Sequence, residues 1–115
     1  MIFADLAAEK NQKISLSKNL ISFPSITPVD AGAINFLSKK LKSLGFKCKI
    51  LVFKKGKGKP IKNLYAKIGN KQPNLCYAGH TDVVPPGNYK DWTVNPFKPK
   101  VKKGYLIGRG ANDMK

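Results

Sequence analysis

The chain has 115 residues, 42% of them hydrophobic, which suits one small domain with a packed core rather than a disordered tail. It carries 22 Lys and Arg against six acids, a net charge of +16. No run approaches the roughly 18 apolar residues that span a bilayer, so no membrane partner is expected.

The opening "MIFADLAAEK" holds acids at positions 5 and 9 and no basic region before an apolar stretch, so it does not read as a signal peptide. A cytoplasmic chain is expected. Cys48 and Cys76 both fall in strand-like runs without metal-ligand spacing and are expected to be reduced, buried thiols. "SLSKNLISF" (15–23) places Leu16, Leu20 and Phe23 on one helical face, and Pro24 and Pro28 must end that helix. "VDAGAINFLSKKLKSLGF" (29–46) is the clearest helix. Ala33, Phe36, Leu37, Leu41 and Leu44 follow its 3.6 period, Asp30 stands at its start, and Gly45 closes it after a lysine-rich last turn.

Beyond Gly45 the period becomes two. "FKCKILVF" alternates Phe46, Cys48, Ile50 and Val52 against lysines, and reads as a half-buried strand. "NLYAKIG" (63–69) is predicted as a second strand and the apolar "NLCYAG" (74–79) as a third, central one. "PKVKKGYLIGRG" reads as two short strands around a Lys-Gly turn. The expected class is α/β, with helices packed on a mixed β-sheet.

The charge raises nucleic-acid binding as a function. Twenty-one of the 22 basic residues are Lys and only Arg109 is Arg, whereas base readout and bidentate phosphate contact favour Arg. The lysines are scattered, and the densest run, "FKKGKGKP" (53–60), reads as a loop. Tyr65, Tyr77 and Phe53 sit in runs that look buried. A small basic nucleic-acid-binding module is therefore the alternative reading and not the leading one.

Two constellations carry chemistry. In "YAGHTDVVPPG" (77–87) the chain's one histidine, His80, lies two residues before Asp82, so in extended backbone both project to one side. A carboxylate on one ring nitrogen fixes the tautomer and presents the other to a metal. Taken alone, His-x-Asp is more often a histidine that only bonds its neighbour. In "GRGANDMK" (108–115) three small residues let the backbone turn tightly and bring Asp113 against something else. Taken alone, that segment is more often an ordinary turn with a solvated Asp.

In this order the segments are specific. "AGHTDVVPPG", "W-T-x-x-P-F-x-P" (Trp92 to Pro99), "GRGANDMK" and the upstream "FPSITPVDAG" (23–32) resemble the di-zinc amidohydrolases, which include deacylases of N-acylated amino acids, aminoacylases and carboxypeptidases. The resemblance covers roughly residues 15 to 115. It implies that His80 is a ligand to one zinc, that Asp113 bridges two zincs, and that Asp82 orients His80 as a catalytic residue, with Asp113-Met114 a candidate cis peptide. Two Zn2+, or Co2+ instead, would be the cofactors. "VVPPG" points to the branch that hydrolyses N-succinyl-LL-2,6-diaminopimelate to succinate and LL-2,6-diaminopimelate. Acetylornithine deacetylases and other aminoacylases are the close alternative.

The sequence departs from that family in one respect. No Glu follows Glu9, and a catalytic zinc takes three protein ligands plus water, which one His and one or two Asp cannot supply twice. Residues 1–115 are therefore expected to be the N-terminal portion of a zinc-hydrolase catalytic domain, inactive alone. The general base, the remaining ligands and the lid domain of a homodimeric enzyme would lie beyond Lys115.

Overall fold

The computed structural model describes residues 6–54 and 56–115. Residues 1–5, part of the opening stretch read as no signal peptide, and Lys55, in the 53–60 loop, lie outside the described residues. The elements are helix α1 (Leu6–Ser22), helix α2 (Ala33–Ser43), strands β1 (Lys47–Phe53) and β2 (Ile61–Lys67), a single 3-10 turn (Tyr89–Asp91), and strands β3 (Lys100–Lys102) and β4 (Tyr105–Ile107).

Helix α1 begins nine residues before the predicted 15–23, because Ala7, Ala8, Glu9, Lys10, Gln12 and Lys13 are all strong helix formers. It stops at Ser22, where Pro24 forces Phe23 out of the helical region. Leu20 is buried, as expected, but Ile21, not among the predicted face residues, is the fully enclosed side chain. Helix α2 starts at Ala33 rather than near Val29, since Ala31 (φ 49°) and Gly32 (φ 98°) are both left-handed. Ala33 and Ile34 are buried, whereas Leu44, predicted on the core face, sits past the last turn and is exposed. The helix closes as anticipated. Gly45 N–H donates to Lys42 O and Phe46 N–H to Leu41 O, the paired bonds of a Schellman end with Gly45 at φ 89°.

Strands β1 and β2 form a seven-pair antiparallel ribbon, from Lys47 opposite Lys67 to Phe53 opposite Ile61. Helix α2 packs on it, with Ile34, Leu37 and Leu41 sharing an apolar groove with Leu64 and Ala66. The second strand runs 61–67, not 63–69. Strands β3 and β4 make a two-residue hairpin whose turn residues, Lys103 (φ 49°) and Gly104 (φ 81°), are both left-handed, as a type I′ turn requires.

The α/β class holds, with both strand orientations present but not in one continuous sheet. The two ribbons are antiparallel, and among the described residues parallel pairing is confined to an isolated bridge between Ile26 and Val83. The predicted central strand 74–79 is not formed. Its backbone has no ladder partner among the described residues, and Leu75 and Tyr77 are 96% and 81% exposed. Alternation can mark a segment as able to join a sheet, but a strand exists only where a neighbour accepts its hydrogen bonds. Cys76, within that run, is correspondingly exposed rather than buried, and Cys48 is half-buried; both are free thiols. Phe53 and Tyr65, expected to be buried, are exposed on the ribbon face they share with Lys47 and Lys49. Among the described residues no helix is long and apolar enough to cross a membrane.

Asp30 ties α2 to the ribbon. One carboxylate oxygen accepts from Gly32 N–H at 3.0 Å, and the other pairs with Lys62 Nζ at 3.0 Å. Burial pushes this carboxyl up, but the hydrogen bond and charge of Lys62 and the N–H groups of Gly32 and Ile34 outweigh it. They hold the group below its ordinary value of 3.8. A depressed carboxyl adds stability that is present above the unfolded value and is lost as pH falls through the lower folded one. Asp30→Ala is thus expected to cost about 1 kcal/mol near neutral pH. In urea denaturation at about pH 7 and about pH 3 the gap from wild type should narrow at the lower pH. A gap independent of pH would show that the charge contributes nothing.

Candidate active site

The site is built where residues 25–27 run beside residues 81–83. Pro24 and Pro28 keep the first segment extended. Val83 N–H donates to Ser25 O (2.9 Å), Thr27 N–H to Val83 O (3.2 Å), and the buried Ser25 hydroxyl to Thr81 O (2.6 Å). Those bonds fix the backbone on which His80 and Asp82 stand. Downstream, Trp92 Nε1 donates to Pro86 O (2.9 Å), and the Arg109 guanidinium lies 5.0 Å over the Trp92 ring, its Nη2 3.4 Å from Pro85 O. The exit from Asp82 is therefore held against the loop that follows β4.

That loop carries Asp113. Arg109 N–H donates to Pro96 O (2.8 Å), Lys115 N–H to Gly110 O (2.8 Å), and Lys115 Nζ reaches Phe23 O (2.6 Å). Gly110 turns the chain at φ 92°, a conformation that disfavours any side chain. The Asp113–Met114 peptide is cis, as the resemblance suggested. Gly79 does leave room, but for Met114 and Tyr77: a Cβ there would lie 3.1 Å from each.

His80 and Asp113 meet despite 33 positions of separation, with Nε2 3.1 Å from Oδ1. The other ring nitrogen, Nδ1, lies 3.0 Å from the backbone carbonyl of Asp82 and 3.4 Å from its carboxylate Oδ1. The expected partner of the ring was the carboxylate; the carbonyl of the same residue is nearer, and Thr27 Oγ1 donates to the other carboxylate oxygen, Oδ2. A carbonyl cannot donate, so Nδ1 carries the hydrogen. Neutral His80 then aims a bare Nε2 lone pair at a carboxylate oxygen, which is favourable only with a second ring proton or a cation between them. Consistent with the first, the Asp82 carbonyl raises the imidazole above its ordinary 6.5; burial opposes it, and the hydrogen bond and charge of Asp113 with the charge of Asp82 add to the rise.

The same donor set fits a metal. Zinc lies about 2.0–2.2 Å from N and O ligands, so a tetrahedral angle separates two ligand atoms by roughly 3.3–3.5 Å. The observed 3.1 Å is within a few tenths of that. His80 is 47% and Asp113 81% exposed, so the pair is open to solvent. Among the described residues no group of three or more His, Cys, Asp or Glu is placed to hold a metal. This chain offers a nitrogen and an oxygen, not a full shell. Two further residues at the site, Thr27 and Lys115, are not marked by the motifs as functional. Thr27 falls in the "FPSITPVDAG" segment that carries the resemblance, but no local pattern links its hydroxyl to a carboxylate 55 positions away.

Residues 76–115 match the model of peptidase family M20/M25/M40. The chain is 66% identical over 103 residues to a succinyl-diaminopimelate desuccinylase of Pelagibacter ubique (strain HTCC1062), an alignment covering 90% of this chain and 27% of that protein. It is 57% identical over 106 residues to the enzyme of the same name in Wolbachia pipientis subsp. Culex pipiens (92% and 26%), and 57% identical over 102 residues to that of Anaplasma marginale (89% and 26%). The chain thus spans about a quarter of the length of the curated relatives it matches. Across about nine tenths of its length the chain is therefore similar to proteins named succinyl-diaminopimelate desuccinylase, and its last 40 residues are similar to peptidase family M20/M25/M40.

Proposed function

We propose that this chain is part of a longer zinc-dependent deacylase that hydrolyses N-succinyl-LL-2,6-diaminopimelate to succinate and LL-2,6-diaminopimelate, and that it contributes one side of the metal site. His80 would hold one zinc through Nε2, and Asp113 would bridge two. The observation that carries this reading is the 3.1 Å approach of those two atoms with the ring's other nitrogen already occupied. When bound, zinc (or cobalt in its place) supplies Lewis-acid polarisation of the scissile amide carbonyl. The Asp82 carbonyl holds the ring proton on Nδ1, which leaves the Nε2 lone pair facing Asp113, and the nearby Asp82 carboxylate favours that tautomer. Neither residue can act as the acid-base group that moves the amide proton, since both are committed to the ring. A glutamate from outside these residues is the natural candidate. The proposal includes a homodimeric, cytoplasmic enzyme: the resemblance supports the first, and a role in lysine and cell-wall precursor synthesis the second.

Exposed Phe53 and Tyr65 beside Lys47 and Lys49 would suit a polyanion-binding face. That reading leaves unexplained both the His80–Asp113 approach and the similarity to the desuccinylases, so it is not adopted. The test is substrate choice by the zinc-loaded full-length protein. Its kcat/KM for N-succinyl-LL-2,6-diaminopimelate should exceed that for N-acetylornithine by about a hundredfold or more. The reverse preference would refute the acyl-group assignment while leaving the metal site standing.

A further inference from the structure

We propose that Thr27 is a positioning residue of this active site, acting on His80 through the Asp82 carboxylate. The inference rests on the reading of His80 and Asp82 given above. Thr27 Oγ1 donates to Asp82 Oδ2 at 2.5 Å, within the range of a hydroxyl on a charged carboxylate. Its aim is set by backbone on both sides. Thr27 N–H donates to Val83 O, Ile26 bridges Val83, and the buried Ser25 hydroxyl donates to Thr81 O, so the donor and its acceptor sit on two segments clamped to each other. A β-branched side chain has few χ1 choices, which leaves the hydroxyl little freedom to turn away.

The consequence is specific to the carboxylate. With Oδ2 engaged, Asp82 keeps Oδ1 turned toward His80 Nδ1 at 3.4 Å. Without that donor the Asp82 side chain could rotate toward solvent, since half of it is exposed, or turn inward and compete with His80 for the metal. The backbone clamp does not need the hydroxyl, because Ser25 and the bonds of residues 25–27 remain in its absence.

The test uses the full-length protein with Thr27→Val, which keeps the shape and removes the hydroxyl, and Thr27→Ser, which restores it. Zinc affinity is read by competition with a chromogenic chelator, alongside kcat, KM and the urea midpoint. Thr27→Val should weaken zinc affinity and lower kcat by about tenfold, the low end for outer partners of a metal histidine, with KM and the urea midpoint little changed. Thr27→Ser should stay within about twofold of wild type. In an Asp82→Asn background, Thr27→Val should add less than about twofold, because both changes break one linkage. An unaffected Thr27→Val beside a weakened Asp82→Asn overturns this proposal alone, as does a full tenfold loss from Thr27→Val in the Asp82→Asn background. Wild-type zinc affinity in Asp82→Asn overturns the reading of Asp82 and this proposal with it. Should Thr27→Val fail to fold, Thr27→Ala carries the same comparison.

Discussion

Replacing either His80 or Asp113 by Ala in the zinc-loaded full-length protein is expected to remove hydrolysis down to background and weaken zinc binding by more than about a hundredfold. Partners that merely orient a metal histidine cost about 10–100-fold when lost, so the ligand itself must cost more. The two residues meet at 3.1 Å, and each removes a donor from the same cluster. Their effects should therefore not add: the double variant should be no worse than the poorer single one. Asp113→Asn is the sharper probe, since it keeps the side chain's shape and one oxygen but loses the charge that the proposed bridging of two cations would require. Bound metal per protein separates this from a folding defect. A His80→Ala protein that keeps full metal occupancy and a tenth or more of the activity would show that His80 is not a ligand.

What could be read from residues alone divides along a physical line. Helix α2 and the β3–β4 hairpin satisfy their hydrogen bonds within a short stretch of chain, so period, Gly45 and the Lys103-Gly104 turn sufficed to find them. The segment 74–79 carries the apolar composition of a strand but depends on a partner elsewhere, and no local pattern reports whether one is present. Ile21 went unnoticed for a related reason. It lies on α1 beside the expected stripe, and among the backbone close against it is that of Gly108, 87 positions later. At the site, the pairing of His80 with Asp113 was anticipated from motif order, not from geometry. The role of Thr27 was invisible because its hydroxyl acts through space rather than along the chain.

Gly108→Ala is expected to destabilise the protein by about 2–3 kcal/mol and to reduce activity as well. A Cβ built at Gly108 would lie 2.6 Å from Ile21 Cγ2, 3.1 Å from Pro99 Cβ and 3.3 Å from Pro96 O. None of these is the free end of a flexible side chain. Ile21 Cγ2 sits directly on a β-branched carbon of a fully buried residue, and Pro96 is buried too. The backbone cannot simply back away, because Arg109 N–H is bonded to Pro96 O at 2.8 Å and leads into Gly110 and the loop ending at Asp113. A displacement of about 1 Å at catalytic groups can cost on the order of a hundredfold in rate, so turnover should fall further than stability alone accounts for. The cause is space and not backbone conformation, since Gly108, unlike Gly110, is not left-handed. Making room should therefore help. Ile21→Ala is destabilising by itself, yet Ile21→Ala with Gly108→Ala should be less destabilised than the two single changes added together, by about 1 kcal/mol or more in urea denaturation. At Gly110 no such relief is expected, because an added side chain there is strained by φ 92° whatever surrounds it. Additive losses at Ile21 and Gly108 would show that the helix and the loop do not touch as the structure has them.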